Sequence, residues 1–291
     1  LPLFNDEATY LRWGWEMIHG IKPWWYPIAI NGKPPLTMLL YGLVQGLPID
    51  PLIAGRLLAV CFSAITVFVS IKTYSILFPK RSILFYGLLL VFHPFLLFFD
   101  RLALSETMVT AIGALLLYAM VRYMHTRKVQ WILVIAVLFG IGWWVKTTVF
   151  VFLPALVIFW VWLGIKKKIS WKQVFFDAIA GTFMIFLIIY PSSFHPRFPV
   201  IDAGQAKWIF SLSELFRIPR PVWINNITNI LTWLFVFPTP VYVMCWIVGG
   251  LLLLKQPRYR NIFLLSSAWV GIPMILFLLF GKNLTARYLV I

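Results

Sequence analysis

The apolar residues of this chain come in long blocks, with most of the charged residues in the gaps between them. A helix that crosses a membrane needs about 20 apolar residues, within a range of about 17–25. Eight blocks read as spans: 52–71, 83–99, 105–121, 129–145, 148–165, 174–191, 231–254 and 261–280. The fourth and fifth share one apolar stretch. It divides at Lys146-Thr147-Thr148, because a charge at mid-membrane is costly. Residues 36–47, LTMLLYGLVQGL, are apolar but too short to span, and fit an interfacial or re-entrant helix, as does the tryptophan-bearing segment 8–18. The pattern predicts an all-α polytopic transmembrane bundle with interfacial helices in its first outer loop.

Composition agrees. The chain is 62% hydrophobic and 12% charged, whereas a soluble domain is about 45–50% apolar and about 25% charged. Only a bilayer can solvate so apolar a surface. The 15 Trp and 26 Phe suit anchoring at both interfaces. A net charge of +16 would raise nucleic acid as a partner in a soluble protein. Here the cations sit in short loops, where anionic lipid headgroups account for them, and no nucleic-acid module is present. Cys61 and Cys245 fall inside apolar blocks and read as small core residues, not as a disulfide or metal site. The chain begins without a methionine and ends inside an apolar run, so 1–291 is expected to be one transmembrane domain from a longer protein.

Short loops set the orientation. Lys80-Arg81, then Arg122, Arg127 and Lys128, then Lys166, Lys167, Lys168 and Lys172, then Lys255, Arg258 and Arg260 share one side. Dense cations in short loops mark the cytoplasmic face, which predicts an integral protein of the plasma or inner membrane. Long outer segments cover 1–50 and 192–230. Asp6, Glu7, Glu16, Asp50, Asp100, Glu106, Asp202 and Glu214 fall on the outer side, and only Asp177 falls at a cytoplasmic end. An outer site would also have Lys33, Arg56, Arg101, Lys146 and Arg287 within reach.

The candidate chemistry follows that asymmetry. Asn5-Asp6-Glu7-Ala8-Thr9-Tyr10 opens the first outer segment. An adjacent Asp-Glu pair can supply a general base or a cation ligand. Taken alone, it reads better as a helix cap. In Asn31-Gly32-Lys33-Pro34-Pro35-Leu36 two prolines stiffen the turn that carries Lys33. That lysine is equally a ligand for a lipid phosphate or a snorkelling anchor. Arg101 and Glu106 bracket the start of the third span, where each needs a partner or a polar cavity, and Asp100 reads as part of a structural ion pair. Lys146 ends another span and competes as a simple interface marker. Asn283-Leu284-Thr285 and Asn226-Ile227-Thr228 match a glycosylation sequon, a weak pattern. His93, His125 and His195 lack ligand spacing. Asp202 and Glu214 lie in an outer segment whose length is uncommon without a role.

The order of these pieces resembles the GT-C membrane glycosyltransferases, in the branch of protein O-mannosyltransferases and aminoarabinose lipid A transferases. It runs from Asp-Glu with a following Tyr, through Lys-Pro-Pro-Leu and an Arg with an acid five residues on, to a later Lys and finally Arg-Tyr. The resemblance implies a polyprenyl-phosphate sugar as donor, used at the outer face. It implies Asp6 as the leading acid with Glu7 beside it, and Lys33 facing the phosphate. Arg101 and Glu106 match the Arg-then-acid motif, although the acid is commonly Asp. Tyr10, Lys146, Arg287 and Tyr288 join as substrate-binding candidates. A divalent cation is a candidate cofactor, with Asp6 and Glu106 as its ligands. The implied partners are membrane lipid, the polyprenyl-phosphate sugar, and an acceptor lipid, glycan or protein. Further spans before Leu1 and after Ile291 are implied too.

A lipid-phosphate leaving group needs cations rather than a general acid. The acceptor hydroxyl needs a base, which Asp6 can supply, and such a single displacement inverts the anomeric carbon. The rival reading is a transporter or flippase of lipid-linked sugars. It would want ionisable residues near the midplane, and the spans beyond residue 82 have essentially none. A non-catalytic assembly subunit is a third reading. A glycoside hydrolase would want an acid–carboxylate pair in an aqueous cleft.

Overall fold

The structure, a computed structural model, describes residues 4–194, 196, 206–237 and 239–289. The chain is an all-α polytopic membrane bundle. Among the described residues the only extended pairing is a single antiparallel bridge, Ile209 to Gly281.

The first segment is helical where its pattern predicts. α1 (Asn5–Ile18) and α3 (Leu36–Val44) pack face to face, joined through the short α2 (Tyr26–Asn31). Their crossing is close because glycines meet: a Cβ on Gly14 would strike the backbone of Met38 and Gly42, and one on Gly42 would strike Gly14. Gly32 closes α2 at φ +62°, a left-handed turn that glycine adopts freely. That turn delivers Lys33, followed by Pro34-Pro35, to the start of α3.

α4 (Pro51–Leu77) is capped by Asp50, whose carboxylate accepts from Leu52 N and Ile53 N at 2.9 and 3.1 Å. It packs on α7 (Ser105–Thr126), which is the hub of the bundle. Two thirds (67%) of α7's apolar window is buried, against 11% for Trp171–Phe194. α8 (Gln130–Val145) packs between α7 and α10 (Trp171–Ile189). The predicted division at Lys146 holds: this residue is extended, at φ −165° and ψ 132°, and a 3-10 turn, 147–152, leads into α9 (Leu153–Ile165).

Among the described residues five helices are long and apolar enough to cross a membrane, or six if one bent pair counts as a span. The pattern predicts eight, and two of those break. Block 83–99 is α5 (Ile83–Val91) and α6 (Pro94–Phe99), interrupted at His93-Pro94, where proline cannot continue the preceding helix. Block 231–254 straddles α12 (Arg220–Val236) and α13 (Thr239–Leu254), which meet at 99°. Block 129–145 is α8, apolar but only 16 residues long. α14 (Pro257–Phe280) matches its block. The outer segment expected to reach residue 230 already contains α11 (Leu212–Leu215) and the start of α12 at Arg220.

Cys61 and Cys245 are free and exposed, so they face outward from their helices rather than filling the core. Asn226 is fully buried and donates to Leu278 O at 3.0 Å and Gly281 O at 2.8 Å. The sequon there is therefore a structural tie between α12 and the end of α14. His195 and Asp202 lie outside the described residues, as do the side chains of Arg258 and Tyr288.

Candidate active site

Adjacent residues at the start of α1 point to different tasks. Glu7 is fully buried and turned inward. Its Oε1 accepts from Arg56 Nε at 2.9 Å and Ala103 N at 2.8 Å. Its Oε2 accepts from Arg56 Nη2 at 2.9 Å and Phe4 N at 3.0 Å. Each oxygen thus holds one guanidinium nitrogen and one backbone N–H, and the pair ties α1, α4 and the α6–α7 turn together. Burial alone would raise the Glu7 carboxyl. The Arg56 hydrogen bond and the two N–H groups outweigh it and hold Glu7 below its ordinary value.

Asp6, one residue earlier, faces a cavity of about 440 Å³. Arg287, on the 3-10 turn Ala286–Leu289, pairs with the Asp6 carboxylate and lies 3.0 Å from Glu106 Oε1 through its Nε. Lys146 Nζ meets the same Glu106 oxygen at 2.8 Å. Glu106 is 1% exposed and stands in the first turn of α7, where the helix N-terminus favours a carboxylate. It does not line the cavity. It lies behind it and holds two cations, Lys146 and Arg287, whose side chains do line it.

Lys33 lines the same cavity. Its ammonium lies 4.8 Å from the Tyr10 ring centroid and donates to Tyr10 Oη at 3.3 Å. Thr37 Oγ1 donates to Val145 O at 3.0 Å, which fixes α3 against the end of α8 and so sets Lys33 relative to Lys146. Tyr41 Oη donates to Leu104 O at 2.9 Å, which fixes α3 against the start of α7.

Lys33, Lys146 and Arg287 face two carboxylates, Asp6 and Glu106, so this end of the cavity carries one excess positive charge. The remaining wall is mostly apolar: Met38, Phe150, Val151, Leu276, Phe277 and Phe280. Trp208 and Ile209 close one side. They are held by Lys282 N donating to Trp208 O at 2.8 Å and Phe210 N donating to Phe280 O at 2.7 Å. Lys282 Nζ adds a pair to Glu214 at 2.8 Å. A cationic end that continues into an apolar wall suits an anionic headgroup attached to a hydrocarbon tail.

Of the sequence-predicted residues, Asp6, Tyr10, Lys33, Lys146 and Arg287 share this cavity, with Glu106 behind them. Arg101 does not join them: it is exposed on the turn before α7, and Glu106 pairs with Lys146 and Arg287 instead. Asp100 accepts from Ser63 Oγ at 2.9 Å rather than from a cation. Asn31, Thr147, Thr148 and Trp208 also line the cavity and carry no signal in the spacing, and Asn283, which the sequence marks only as a sequon, lines it too. Arg56 does carry one, because an arginine inside an apolar block requires a carboxylate partner. Among the described residues no three His, Cys, Asp or Glu side chains cluster as a metal site. The Arg287 guanidinium bridges Asp6 and Glu106.

A sequence model of the dolichyl-phosphate-mannose-protein mannosyltransferase family matches residues 32–193, more than half of the chain. The chain belongs to this family. The match includes Lys33, Arg56, Glu106 and Lys146, while Asp6 and Arg287 lie on either side of it. Two solved structures of ArnT from Cupriavidus metallidurans share the fold of this mannosyltransferase-family chain. One, bound to undecaprenyl phosphate, superposes with a TM-score of 0.73 at 16% identity, covering 99% of this chain and 53% of that one. The other, in the apo state, gives a TM-score of 0.64 at 17% identity, covering 99% and 52%. The chain thus spans about half the length of either ArnT structure. A search of curated proteins finds no match.

Proposed function

We propose that this chain forms the catalytic membrane domain of a glycosyltransferase. It moves a sugar from a polyprenyl-phosphate donor to an acceptor hydroxyl at the outer membrane face. The observation that carries this reading is the shared cavity. Lys33, Lys146 and Arg287 converge with Asp6 at its polar end, and an apolar wall extends away from them. The undecaprenyl phosphate in one ArnT structure supports a lipid-phosphate ligand for this fold.

The residues divide the work. The donor's phosphate lies among Lys33, Lys146 and Arg287, and its isoprenoid tail runs along Met38, Leu276 and Phe280. Asp6 accepts the proton of the acceptor hydroxyl as that oxygen attacks the anomeric carbon. The bond from that carbon to the phosphate oxygen breaks, and the phosphate leaves with the electron pair. The cations stabilise the charge developing there, so no general acid is required. A single displacement inverts the anomeric configuration. Glu106 acts through Lys146 and Arg287 as a positioning residue, while Glu7 and Arg56 hold α1, α4 and the turn before α7 together.

The test uses full-length protein in nanodiscs with a panel of polyprenyl-phosphate sugars and candidate lipid, glycan and protein acceptors. Acceptor-dependent release of polyprenyl phosphate, with an inverted anomeric proton signal in the product, is the expected result. Binding of these donors without transfer or hydrolysis would contradict the reading. An impermeant thiol reagent in intact cells, with Cys61 and Cys245 replaced, should label a cysteine at position 33 and spare one at position 167. The reverse pattern would place the site on the inner face.

A further inference from the structure

A second cavity, of about 370 Å³, lies between α4 and α7 at the other end of the bundle. Both helices begin beside the active site, α4 with Arg56 on Glu7 and α7 with Glu106 behind Lys146. Lys72 and Arg122 follow sixteen residues later on their respective helices. At about 1.5 Å of rise per residue that places them about 24 Å away. With a hydrocarbon core of about 30 Å, they reach the headgroup region of the opposite leaflet.

The second cavity has the polarity of a lipid. Phe68 and Val69 lie one turn, and Leu115 two turns, nearer the middle of the membrane than the cations, and Ile76 lines the outer rim one turn beyond Lys72. Lys72 and Arg122 line its outer part, with Ser75 and Tyr118 beside them. None of its lining residues is a carboxylate. The Arg122 guanidinium lies 5.2 Å from the Trp131 ring centroid and 6.0 Å from that of Tyr118, which fixes its plane. Its Nε is buried with no hydrogen-bond partner. Asp177, at the same end of the bundle, is engaged by Tyr123 instead. A buried guanidinium donor without an acceptor is costly, and so is a cation at membrane depth without a counter-charge. A phosphate would supply both acceptor and charge, and acyl chains would cover Phe68 and Leu115.

We propose that this cavity binds the phosphate headgroup of an anionic glycerophospholipid from the leaflet opposite the active site. Basic pockets between transmembrane helices hold such headgroups by this chemistry. The site rests on α4 and α7 as membrane spans and is independent of the transferase reading.

Native mass spectrometry of the full-length protein, titrated with phosphatidylglycerol or phosphatidylcholine of matched chains, tests it. Wild type should retain one phosphatidylglycerol in preference to phosphatidylcholine. Lys72→Gln, on an exposed side chain, should weaken that preference about fivefold, the factor corresponding to about 1 kcal/mol per basic residue at a membrane surface. Adding Arg122→Gln should abolish the preference, and Arg122→Lys should keep part of it. Lys166→Gln with Lys167→Gln, on the same face outside the cavity, should change nothing. An undiminished preference in Lys72→Gln would overturn the proposal, as would an equal loss in the Lys166/Lys167 variant. Displacement of the lipid by millimolar inorganic phosphate would overturn the lipid assignment and leave only a site for a free anion.

Discussion

Two carboxylate networks start from neighbouring residues, and one is closed where the other is open. Glu7 is enclosed by Arg56, Ala103 and Phe4, with both oxygens occupied and no share in the cavity. The network of Asp6, Arg287, Glu106 and Lys146 opens onto the cavity and carries more positive than negative charge once Lys33 is included. The closed network joins three elements of the packed half of the molecule. The open one draws Arg287 from the far end of the chain. Neighbours in sequence thus serve stability and chemistry separately, because successive positions on a helix point about 100° apart. Substitutions should separate the two networks: damage to the closed one should appear in folding, and damage to the open one in ligand and rate.

The largest expected effect is on rate. Asp6→Asn should lower transfer by about 10²–10⁴-fold, the usual contribution of a positioned base, with Tm and donor affinity nearly unchanged. Turnover within a few-fold of wild type would make Asp6 a partner of Arg287 only. Glu7→Gln should do the reverse. It leaves Arg56 without its carboxylate, and breaking a buried pair costs about 3–5 kcal/mol. The low end is expected because the Arg56 side chain is 20% exposed. Thermal unfolding should show the loss, while donor affinity per folded molecule stays near wild type. If Glu7→Gln melts normally yet fails to transfer, the assignment of the two networks is inverted.

The smallest effect lies at the edge of the open network. The hydrogen bond from Lys282, together with the Ser211 N–H and hydroxyl, holds the Glu214 carboxyl at about 2, against an ordinary 4.5. A carboxyl depressed in the folded state contributes stability that is complete above its unfolded value and is lost as pH falls through the folded one. The Tm difference between wild type and Glu214→Gln should therefore be small and constant above about pH 4.5, and should vanish towards about pH 2. A difference independent of pH across that window would remove the ion pair as its cause.

Much of this was legible in the sequence, for reasons that also mark its limits. Block length located α4, α7, α9, α10 and α14 because the bilayer imposes a minimum length on a span. The same rule joined α5 to α6 and α12 to α13, since apolar composition continues while α5 ends before His93-Pro94 and α12 and α13 meet at 99°. Lys146 divided its stretch correctly because a mid-membrane charge is costly. The order of motifs brought Asp6, Tyr10, Lys33, Lys146 and Arg287 to one cavity. It could not reveal that Glu7 belongs to Arg56, 49 residues away, or that Glu106 lies behind the cavity rather than in it. Arg101 lies outside the cavity because position near a span end does not fix which way a side chain on a turn points. Trp208 was silent, and Asn226 was legible only as a sequon, because tertiary contacts with the end of α14 alone give them their place.

The central claim is that the open network receives a lipid phosphate, and binding of polyprenyl phosphate to wild type and Lys33→Ala in nanodiscs tests it most directly. Loss of one charge-assisted contact costs about 1.5–3 kcal/mol, or roughly 10- to 100-fold in Kd. Lys33→Arg should restore little, since a planar guanidinium does not replace a compact ammonium above Tyr10. The account predicts weaker binding in Lys33→Ala at unchanged Tm; equal affinity for the two proteins would contradict it.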